Sequence, residues 1–253
     1  MSKTVKIRKG ANIKLVGSAE KTTSDTTLPS SFALKPTDFH GMVPKLLLKE
    51  GAEVKAGTPI FYSKSNERIK FVSPVSGEIA AVVRGAKRKI LEVKIVADSE
   101  QKSETAAPVD FSSFDRAKMA DALLDAGLWP FIKRRPYDII ADPTEAPKSI
   151  FVSGFDSAPL GADLNYILEG READFQTGID ALSKLTEGKV HLNIQSGSGS
   201  FMANAKNAQV NTFTGPHPAG LPGIQIHHID PVNKGEVVWV VDAQAVAIIG
   251  RFL

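Results

Sequence analysis

The residues of this chain most suited to chemistry are three histidines in one glycine- and proline-rich segment, GPHPAGLPGIQIHHIDP. The glycines and prolines predict an irregular backbone, and His217, His227 and His228 bring titratable rings beside it. On one hypothesis the segment is the wall of a ligand or partner site. Gly220 and Gly223 would then permit close approach, and His217 or His227 would donate a hydrogen bond. On the other hypothesis the segment is a rigid connector, and a histidine pair without further ligands does not predict a metal site.

Two other loops carry glycines where a phosphate could bind. SGFDSAPLGADL places Gly154 directly after an apolar run, and QSGSGSFMANA offers Gly197 and Gly199. Both depart from a dinucleotide-binding loop, because Asp156 would repel phosphate and Met202 stands at the third glycine position. We predict ordinary strand-to-helix turns for both loops, with a nucleotide site as the alternative.

A third stretch, GAEVKAGTPIFYSKSNERIKFVSPVSG, consists of two apolar runs enclosed by glycine turns. It resembles the biotinyl/lipoyl-carrier fold, in which a lysine at the hairpin apex carries the prosthetic group. The predicted apex here is Ser65–Arg68, with Lys64 and Lys70 on the flanking strands. The sequence therefore predicts a scaffold domain without a covalently bound cofactor.

No combination of residues predicts an active site that works alone. Cysteine is absent, which excludes disulfides, thiolate metal sites and a cysteine nucleophile. The carboxylates of Asp156 and Asp163, or of Glu169 and Glu172, lack an accompanying nucleophile and oxyanion donors, and G-x-S-x-G does not occur. We predict neither catalytic residues nor a metal site.

The charges of the chain are unevenly distributed. Residues 1–100 hold 18 Lys and Arg against 10 Asp and Glu, although the net charge of the whole chain is only +3. The basic residues are dispersed, which does not favour nucleic-acid binding. Lys133–Arg135, after Trp129–Phe131, form a compact basic and aromatic patch that either docks on an acidic partner or is a solvated surface. The longest apolar window, Val237–Gly250, is too short to span a bilayer.

These segments belong to two predicted units joined by a linker. Residues 1–97 contain short β-type runs, among them VKIRKG, PIFYS and ILEVKIVA, which predict a small β barrel or sandwich. Residues 98–109, DSEQKSETAAPV, are typical of an exposed linker. Residues 110–253 alternate strand and helix, which predicts a Rossmann-like α/β layer with a mostly parallel sheet. The fold class is therefore α/β, or α+β over the whole chain.

Several segments together resemble one protein family, the A subunits of the sodium-translocating NADH:quinone reductase. They are DFHGMVPKLLLK, VVRGAKRKILEVKIV, GFDSAPLGADLNYILEGREADFQTGIDAL, GPHPAGLPGIQIHHIDP and VVWVVDAQAVAIIGRFL. The resemblance covers nearly the whole chain. It implies a distant kinship with the C subunit of Rnf complexes and the flavoprotein subunit of complex I. Family members continue into a C-terminal part with a β-grasp-like domain, so we expect a truncated chain.

The resemblance implies a peripheral subunit on the cytoplasmic face of the bacterial inner membrane, bound to the other subunits of the complex. That complex oxidises NADH, reduces ubiquinone and exports sodium. The implied role of this subunit is structural, with ubiquinone as a candidate ligand at His217, Gly220, Gly223 and His227. FMN and NADH are not expected here, and the fragment alone should be inactive. The alternative is a flavin- or NADH-binding oxidoreductase domain that has retained an ancestral nucleotide pocket.

Overall fold

The computed structural model describes residues 2–106 and 110–253. The first part of the chain is almost entirely short strands: β1 (Thr4–Lys6), β2 (Ser31–Leu34), β3 (Pro44–Leu46), β4 (Glu53–Val54), β5 (Pro59–Ser63), β6 (Asn66–Val72), β7 (Gly77–Arg84) and β8 (Ile90–Ala97). Strands β2, β8, β7 and β4 form one antiparallel sheet, and β3, β5 and β6 form a second. The inward residues of both sheets share one hydrophobic cluster, in which Phe61 stacks on Phe71 at 4.8 Å between ring centroids. This arrangement agrees with the predicted β barrel-sandwich.

The hairpin between β5 and β6 differs from its predicted form. Ser63 pairs with Asn66, so the turn consists of Lys64 and Ser65 alone, and Asn66–Arg68 belong to β6. The predicted apex was therefore wrong, because the strand pairing extends further toward the turn than the polar sequence suggested. Lys64 is exposed at the apex, where its amide donates a hydrogen bond of 2.8 Å to the Val43 carbonyl oxygen.

The described part of the predicted linker is attached to the β domain. The amide of Ala56 donates to the Lys102 carbonyl oxygen at 2.9 Å, and the amide of Glu104 donates to the Ala56 carbonyl oxygen at 2.8 Å. The Gln101 side chain accepts a further bond of 2.9 Å from the Ser76 amide. The polar composition of this stretch predicted a free linker. Its backbone instead pairs with the β domain in the manner of an added edge strand. The rest of the predicted linker, residues 107–109, lies outside the described residues.

The second part of the chain alternates helices and strands: α1 (Arg116–Asp125), β9 (Lys133–Arg135), β10 (Ile139–Ile140), β11 (Ser149–Ser153), α2 (Leu164–Ile167), α3 (Glu172–Ser183), β12 (Lys189–Gln195), β13 (Gln209–Thr214), α4 (Pro222–Ile229), β14 (Val238–Asp242) and α5 (Ala243–Phe252). Its seven-stranded sheet has the order β1-β13-β12-β11-β14-β9-β10. The five strands from β1 to β14 are parallel, while β9 and β10 are antiparallel additions at one edge. A mostly parallel sheet was predicted and is present.

Strand β1 lies in this sheet rather than in the β domain, where its sequence run had been placed. It pairs in parallel with β13, with Thr4 opposite Thr212 and Lys6 opposite Thr214. An edge strand of this length has the same sequence pattern in either sheet, so only the long-range pairing distinguishes the two positions. The described chain thus runs from the α/β sheet through the β domain and back to the α/β sheet.

Helices cover both faces of the parallel sheet. Helices α3 and α5 pack closely on one face, where Gly178 and Gly250 allow their backbones to approach. A Cβ at Gly250 would collide with the Asp174 carbonyl oxygen. Helix α4 packs on the opposite face, where Ile226 and Ile229 share a smaller hydrophobic cluster with Phe151 of β11. Both faces of the strands are therefore buried, as expected for parallel β-structure.

Candidate functional site

Six of the eight predicted site residues lie in the connections at the carboxyl edge of the parallel sheet. The connections that follow β11, β12 and β13 all leave the sheet at this edge. The connection after β12 packs Phe201 and Met202 on the α3 face, whereas the connection after β13 leads to α4 on the other face. The crevice at this edge opens between the loops after β11 and β12, and the carboxyl edge of the strands is the usual ligand position in open α/β sheets.

His217 and Gly220 form one small cluster with Ser157. The hydroxyl oxygen of Ser157 lies 3.0 Å from His217 Nδ1 and accepts a hydrogen bond of 2.8 Å from the Gly220 amide. A Cβ at Gly220 would lie 2.6 Å from the Ser157 nitrogen, so only glycine permits this contact. The backbone amide of His217 donates to the side chain of Asn12 at 2.9 Å, and its carbonyl oxygen accepts from Ala11 at 3.0 Å. The cluster therefore joins the loop after β11, the loop after β13 and the segment after β1.

A series of buried polar side chains, joined by hydrogen bonds, connects to this cluster. The Gln225 side chain donates to Ser153 at 2.8 Å and accepts from Asn193 at 3.1 Å, and Asn211 donates to Asn193 at 3.0 Å. Asn193, Asn211 and Gln225 are fully buried. The Ser153 hydroxyl lies 3.1 Å from the Gly220 carbonyl oxygen, which links the series to the cluster. Buried amides that share hydrogen bonds in this way hold α4 and three strands in one arrangement.

Sequence reasoning did not find these amides, although one signal was present. In KVHLNIQ the apolar residues alternate with His191, Asn193 and Gln195, so the sequence places polar groups on one face of a strand that is buried on both faces. An internal strand of a parallel sheet rarely carries polar residues at such positions unless they are paired. The partner, Gln225, comes from a helix 32 residues later in the sequence, and only folding brings it close.

A polar crevice of about 310 Å³ opens at the same edge, lined by Gly154, Asp156, Gly161, Asp163, Asn165, Gln195 and Ser198 among others. Asp163 caps helix α2, since its Oδ1 accepts hydrogen bonds from the amides of Asn165 and Tyr166 at 3.1 and 3.3 Å. Its Oδ2 forms an ion pair of 2.7 Å with Lys21, and this hydrogen-bonded partner lowers the pKa of the Asp163 carboxyl below its usual value. The side-chain amides of Asn165 and Gln195 make no hydrogen bond to the residues described.

An apolar groove of about 860 Å³ adjoins the crevice. The two share residues 161–163, and the groove walls come from residues 13–21 and 159–167. Val16 is fully exposed, Leu160 is 89% exposed and Ile13 is 67% exposed. Exposed apolar side chains concentrated around one concavity are typical of a binding surface rather than of a random monomer surface.

The other two residues predicted for the ligand site lie away from this cluster. The segment after Gly220 forms helix α4, not the irregular backbone that its glycines and prolines predicted. Proline is well tolerated at the start of a helix, and Pro222 occupies that position. Gly223 is exposed in the first turn, and His227 is exposed in the last turn beside His228. The helix therefore separates His227 from His217.

Close packing and backbone conformation explain why glycine occurs in the two nucleotide-like loops. A Cβ at Gly154 would lie 2.8 Å from the Met202 sulfur, so this glycine permits close packing of the two loops. Gly197 and Gly199 have φ angles of 73° and 63°, as a tight turn requires, and a Cβ at either position would meet no atom within 4 Å. The amides at the start of α2 already bind Asp163, so they offer no free site for a phosphate.

The basic patch is largely neutralised by neighbouring carboxylates. Arg134 forms an ion pair of 2.9 Å with Glu145, and Arg135 forms one of 3.3 Å with Asp138. Lys133 is exposed at the edge of the sheet. Both arginines of the patch are therefore paired with a neighbouring carboxylate.

Two family models match the chain. The NqrA N-terminal barrel-sandwich hybrid domain matches residues 5–98, and the NqrA second alpha/beta domain matches residues 114–253. The chain belongs to the NqrA family. This membership confirms the predicted family and the predicted fold class, a barrel-sandwich domain followed by an α/β domain.

Curated relatives of this NqrA family member are named as the A subunits of Na(+)-translocating NADH-quinone reductases. The protein from Neisseria meningitidis serogroup A is 36% identical over 249 residues, which cover 98% of this chain and 56% of the relative. The protein from Photorhabdus laumondii is 35% identical with the same coverage, and that from Rhodopirellula baltica is 36% identical over 252 residues, 98% of this chain and 55% of the relative. The chain thus spans about half the length of these relatives. No helix among its described residues is long and apolar enough to cross a membrane.

Proposed function

We propose that this chain acts as part of the NqrA component of a sodium-pumping NADH:ubiquinone reductase. Its NqrA family membership, with relatives aligned over 98% of the chain, is the observation that carries the proposal. In this role it is a peripheral component on the cytoplasmic face of the bacterial inner membrane, held there by the other subunits. It contributes structure and has no turnover alone.

Retention by the other subunits tests this role directly. Tagged chain is incubated with membranes that contain the other reductase subunits but lack NqrA, and with membranes that lack the whole complex. We expect retention only by the first membranes, and no NADH oxidation by the chain alone. Equal retention by both membranes, or NADH oxidation by the purified chain, would contradict the proposal.

We further propose that the carboxyl-edge crevice and its apolar groove contact ubiquinone. A quinone has a polar ring with two carbonyl acceptors and a long apolar tail. The unpartnered amides of Asn165 and Gln195 suit the carbonyls, and the groove beside Leu160 suits the tail. His217 and Gly220 take a positioning role, because through Ser157 they hold the loop that forms the shared wall.

Methyl NMR can test this quinone contact, using a ubiquinone with one isoprenoid unit. Trp129 and Trp239 are fully buried and pack on each other in the core, so their fluorescence is a poor probe of the groove. We expect saturable shifts of the Ile13, Leu160 and Ile167 methyl groups. Leu160→Gln should weaken binding about tenfold, since it removes one apolar side chain from the contact.

The matched control is Leu47→Gln, which changes an exposed leucine of the β domain. It should leave the affinity unchanged. Shifts that do not saturate, or equal effects of both substitutions, would remove the quinone contact from this part of the protein.

We also propose that the chain binds neither FMN nor NADH. The proposal rests on the capped amides of α2 and on the packing role of Gly154. A thermal-shift titration with each nucleotide should leave the melting temperature unchanged. A concentration-dependent rise would favour the retained nucleotide pocket instead.

A further inference from the structure

A second cleft, of about 600 Å³, lies at the opposite, amino edge of the parallel sheet. Its lining comes from the residues just before or at the start of four neighbouring strands and from the end of α4, and includes Lys3, Lys148, Lys189, His191, Gln209 and Asp230. This cleft is separate from the crevice and groove at the carboxyl edge. The inference drawn from it does not depend on the proposed function.

His191 is the unusual residue of this cleft. Its side chain is only 5% exposed, and its ring packs against Phe151 with 4.8 Å between centroids. Neither ring nitrogen has a hydrogen-bond partner among the described residues, and Nδ1 is buried. Burial lowers the pKa of His191 to about 4, so the ring is neutral at pH 7. Burial of an imidazole without a hydrogen-bond partner lowers the stability of the fold. A bound ligand that supplies this partner is one explanation of such a group.

The ammonium group of Lys148 is fully engaged by its neighbours. Lys148 uses its three donors on Asp230, Glu236 and the Pro231 carbonyl oxygen, at 2.7, 3.0 and 3.1 Å. The other oxygen of Asp230 accepts a bond of 2.8 Å from Ser149. The carboxylate of Asp230, which lines the cleft, is therefore already paired, although it shares the single charge of Lys148 with Glu236.

Lys3 and Lys189, in contrast, each use one donor of three. Lys3 Nζ donates to the Ile229 carbonyl oxygen at 2.8 Å, and Lys189 Nζ donates to the Gln209 side chain at 3.0 Å. Both ammonium groups are close enough to lower the pKa of His191, after the larger effect of burial, while the charge of Asp230 acts in the opposite direction. Two cationic groups with unused donors and one unpartnered imidazole thus face one cleft.

We propose that this cleft binds an oxyanion, the phosphate or carboxylate group of a small molecule, through Lys3, Lys189 and the ring of His191. An oxyanion supplies only acceptors, which matches the unused donors, and its negative charge is balanced by the two lysines. Lys148, which Asp230 shares with Glu236, offsets only part of the charge of that carboxylate, so Lys3 and Lys189 must outweigh the remainder. The site forms only in the folded sheet, since Lys3 and Lys189 are brought together by the strand order.

The test follows the His191 ring by NMR during titration with inorganic phosphate, and separately with acetate, each against sodium chloride at equal ionic strength. We expect a saturable shift of the His191 Cε1–Hε1 signal and a rise in its pKa when the anion is bound. Saturation by phosphate alone assigns a phosphate-bearing ligand, and saturation by acetate assigns a carboxylate-bearing one. No saturation by either anion beyond the chloride control overturns the proposal.

Lys189→Gln tests the assigned contacts without disturbing the core, because Lys189 is exposed. We expect it to weaken the binding of the effective anion about tenfold, the value of one charge-assisted hydrogen bond. Lys118→Gln, on the exposed surface of α1, makes the same charge change outside the cleft and should have no effect. Equal weakening by both substitutions would show a general charge effect and overturn the site.

Discussion

Replacing Gln225 by alanine should break the series of buried polar side chains at its centre. The Gln225 side chain is fully buried, donates to Ser153 at 2.8 Å and accepts from Asn193 at 3.1 Å. Alanine keeps helix α4 but removes both of these hydrogen bonds, along with a marginal contact of 3.3 Å to the Ala219 carbonyl oxygen. The Asn193 amide then stays in the core without a partner, because its other neighbour, Asn211, already donates to the Asn193 oxygen.

The size of the effect follows from these contacts. Each lost hydrogen bond contributes about 1 kcal/mol to the free energy of unfolding, and the unpaired Asn193 amide costs at least about 1 kcal/mol more. We therefore expect Gln225→Ala to lower the free energy of unfolding by about 3 kcal/mol. In combination with Asn193→Ala the total loss should be about 2 kcal/mol smaller than the two single losses added, because the shared hydrogen bond is counted in both and the double variant has no unpaired Asn193 amide.

Urea unfolding measured by tryptophan fluorescence suits this experiment, because Trp129 and Trp239 are both buried in the α/β unit. Gln244→Ala is the matched control, since Gln244 is exposed on α5. It should change the free energy of unfolding by less than about 0.5 kcal/mol. A loss below about 1 kcal/mol for Gln225→Ala, or strict additivity with Asn193→Ala, would refute the view that these amides hold the site together.

Three further predictions concern packing, pH and covalent modification. Gly250→Ala should cost about 2 kcal/mol in urea unfolding, because the added methyl group meets a carbonyl oxygen of α3, whereas Gly223→Ala in open space on α4 should be neutral or slightly stabilising. Burial lowers the pKa of His191 from 6.5 to about 4, so the unfolded chain binds the additional proton between these values. About 3 kcal/mol of stability should therefore be present above pH 6.5 and disappear as the pH falls to 4 in phosphate-free buffer. His191→Gln should flatten this dependence and the exposed His228→Gln should not; a slope unchanged in both would contradict the assignment. Lys64 is exposed at the hairpin apex, so intact-mass spectrometry separates the predicted scaffold, which carries no added mass, from a true carrier, which has a group added to this lysine.

Local sequence patterns were sufficient to predict the features of the structure that depend on residues close together in the sequence. Short β runs between glycine turns predicted the barrel-sandwich, and alternating strands and helices predicted the parallel sheet. Both predictions use periodicity and turn chemistry, which act over a few residues. Gly170, which has a φ of 76°, separates α2 from α3 by the same turn chemistry. Family resemblance, carried by several separate segments, was equally accessible without a structure.

Only the tertiary structure decided which distant segments meet. Strand β1 lies beside β13, about 200 residues later in the chain, because a short edge strand pairs with whichever open edge folding brings to it. The turn at Lys64 depends on where cross-strand pairing ends, and the helix after Gly220 forms because its apolar face packs on the sheet. Gln225 and Asn193 are polar residues that local patterns place on the surface or leave unexplained. Folding buries them together, since each satisfies hydrogen bonds that the other would otherwise lose.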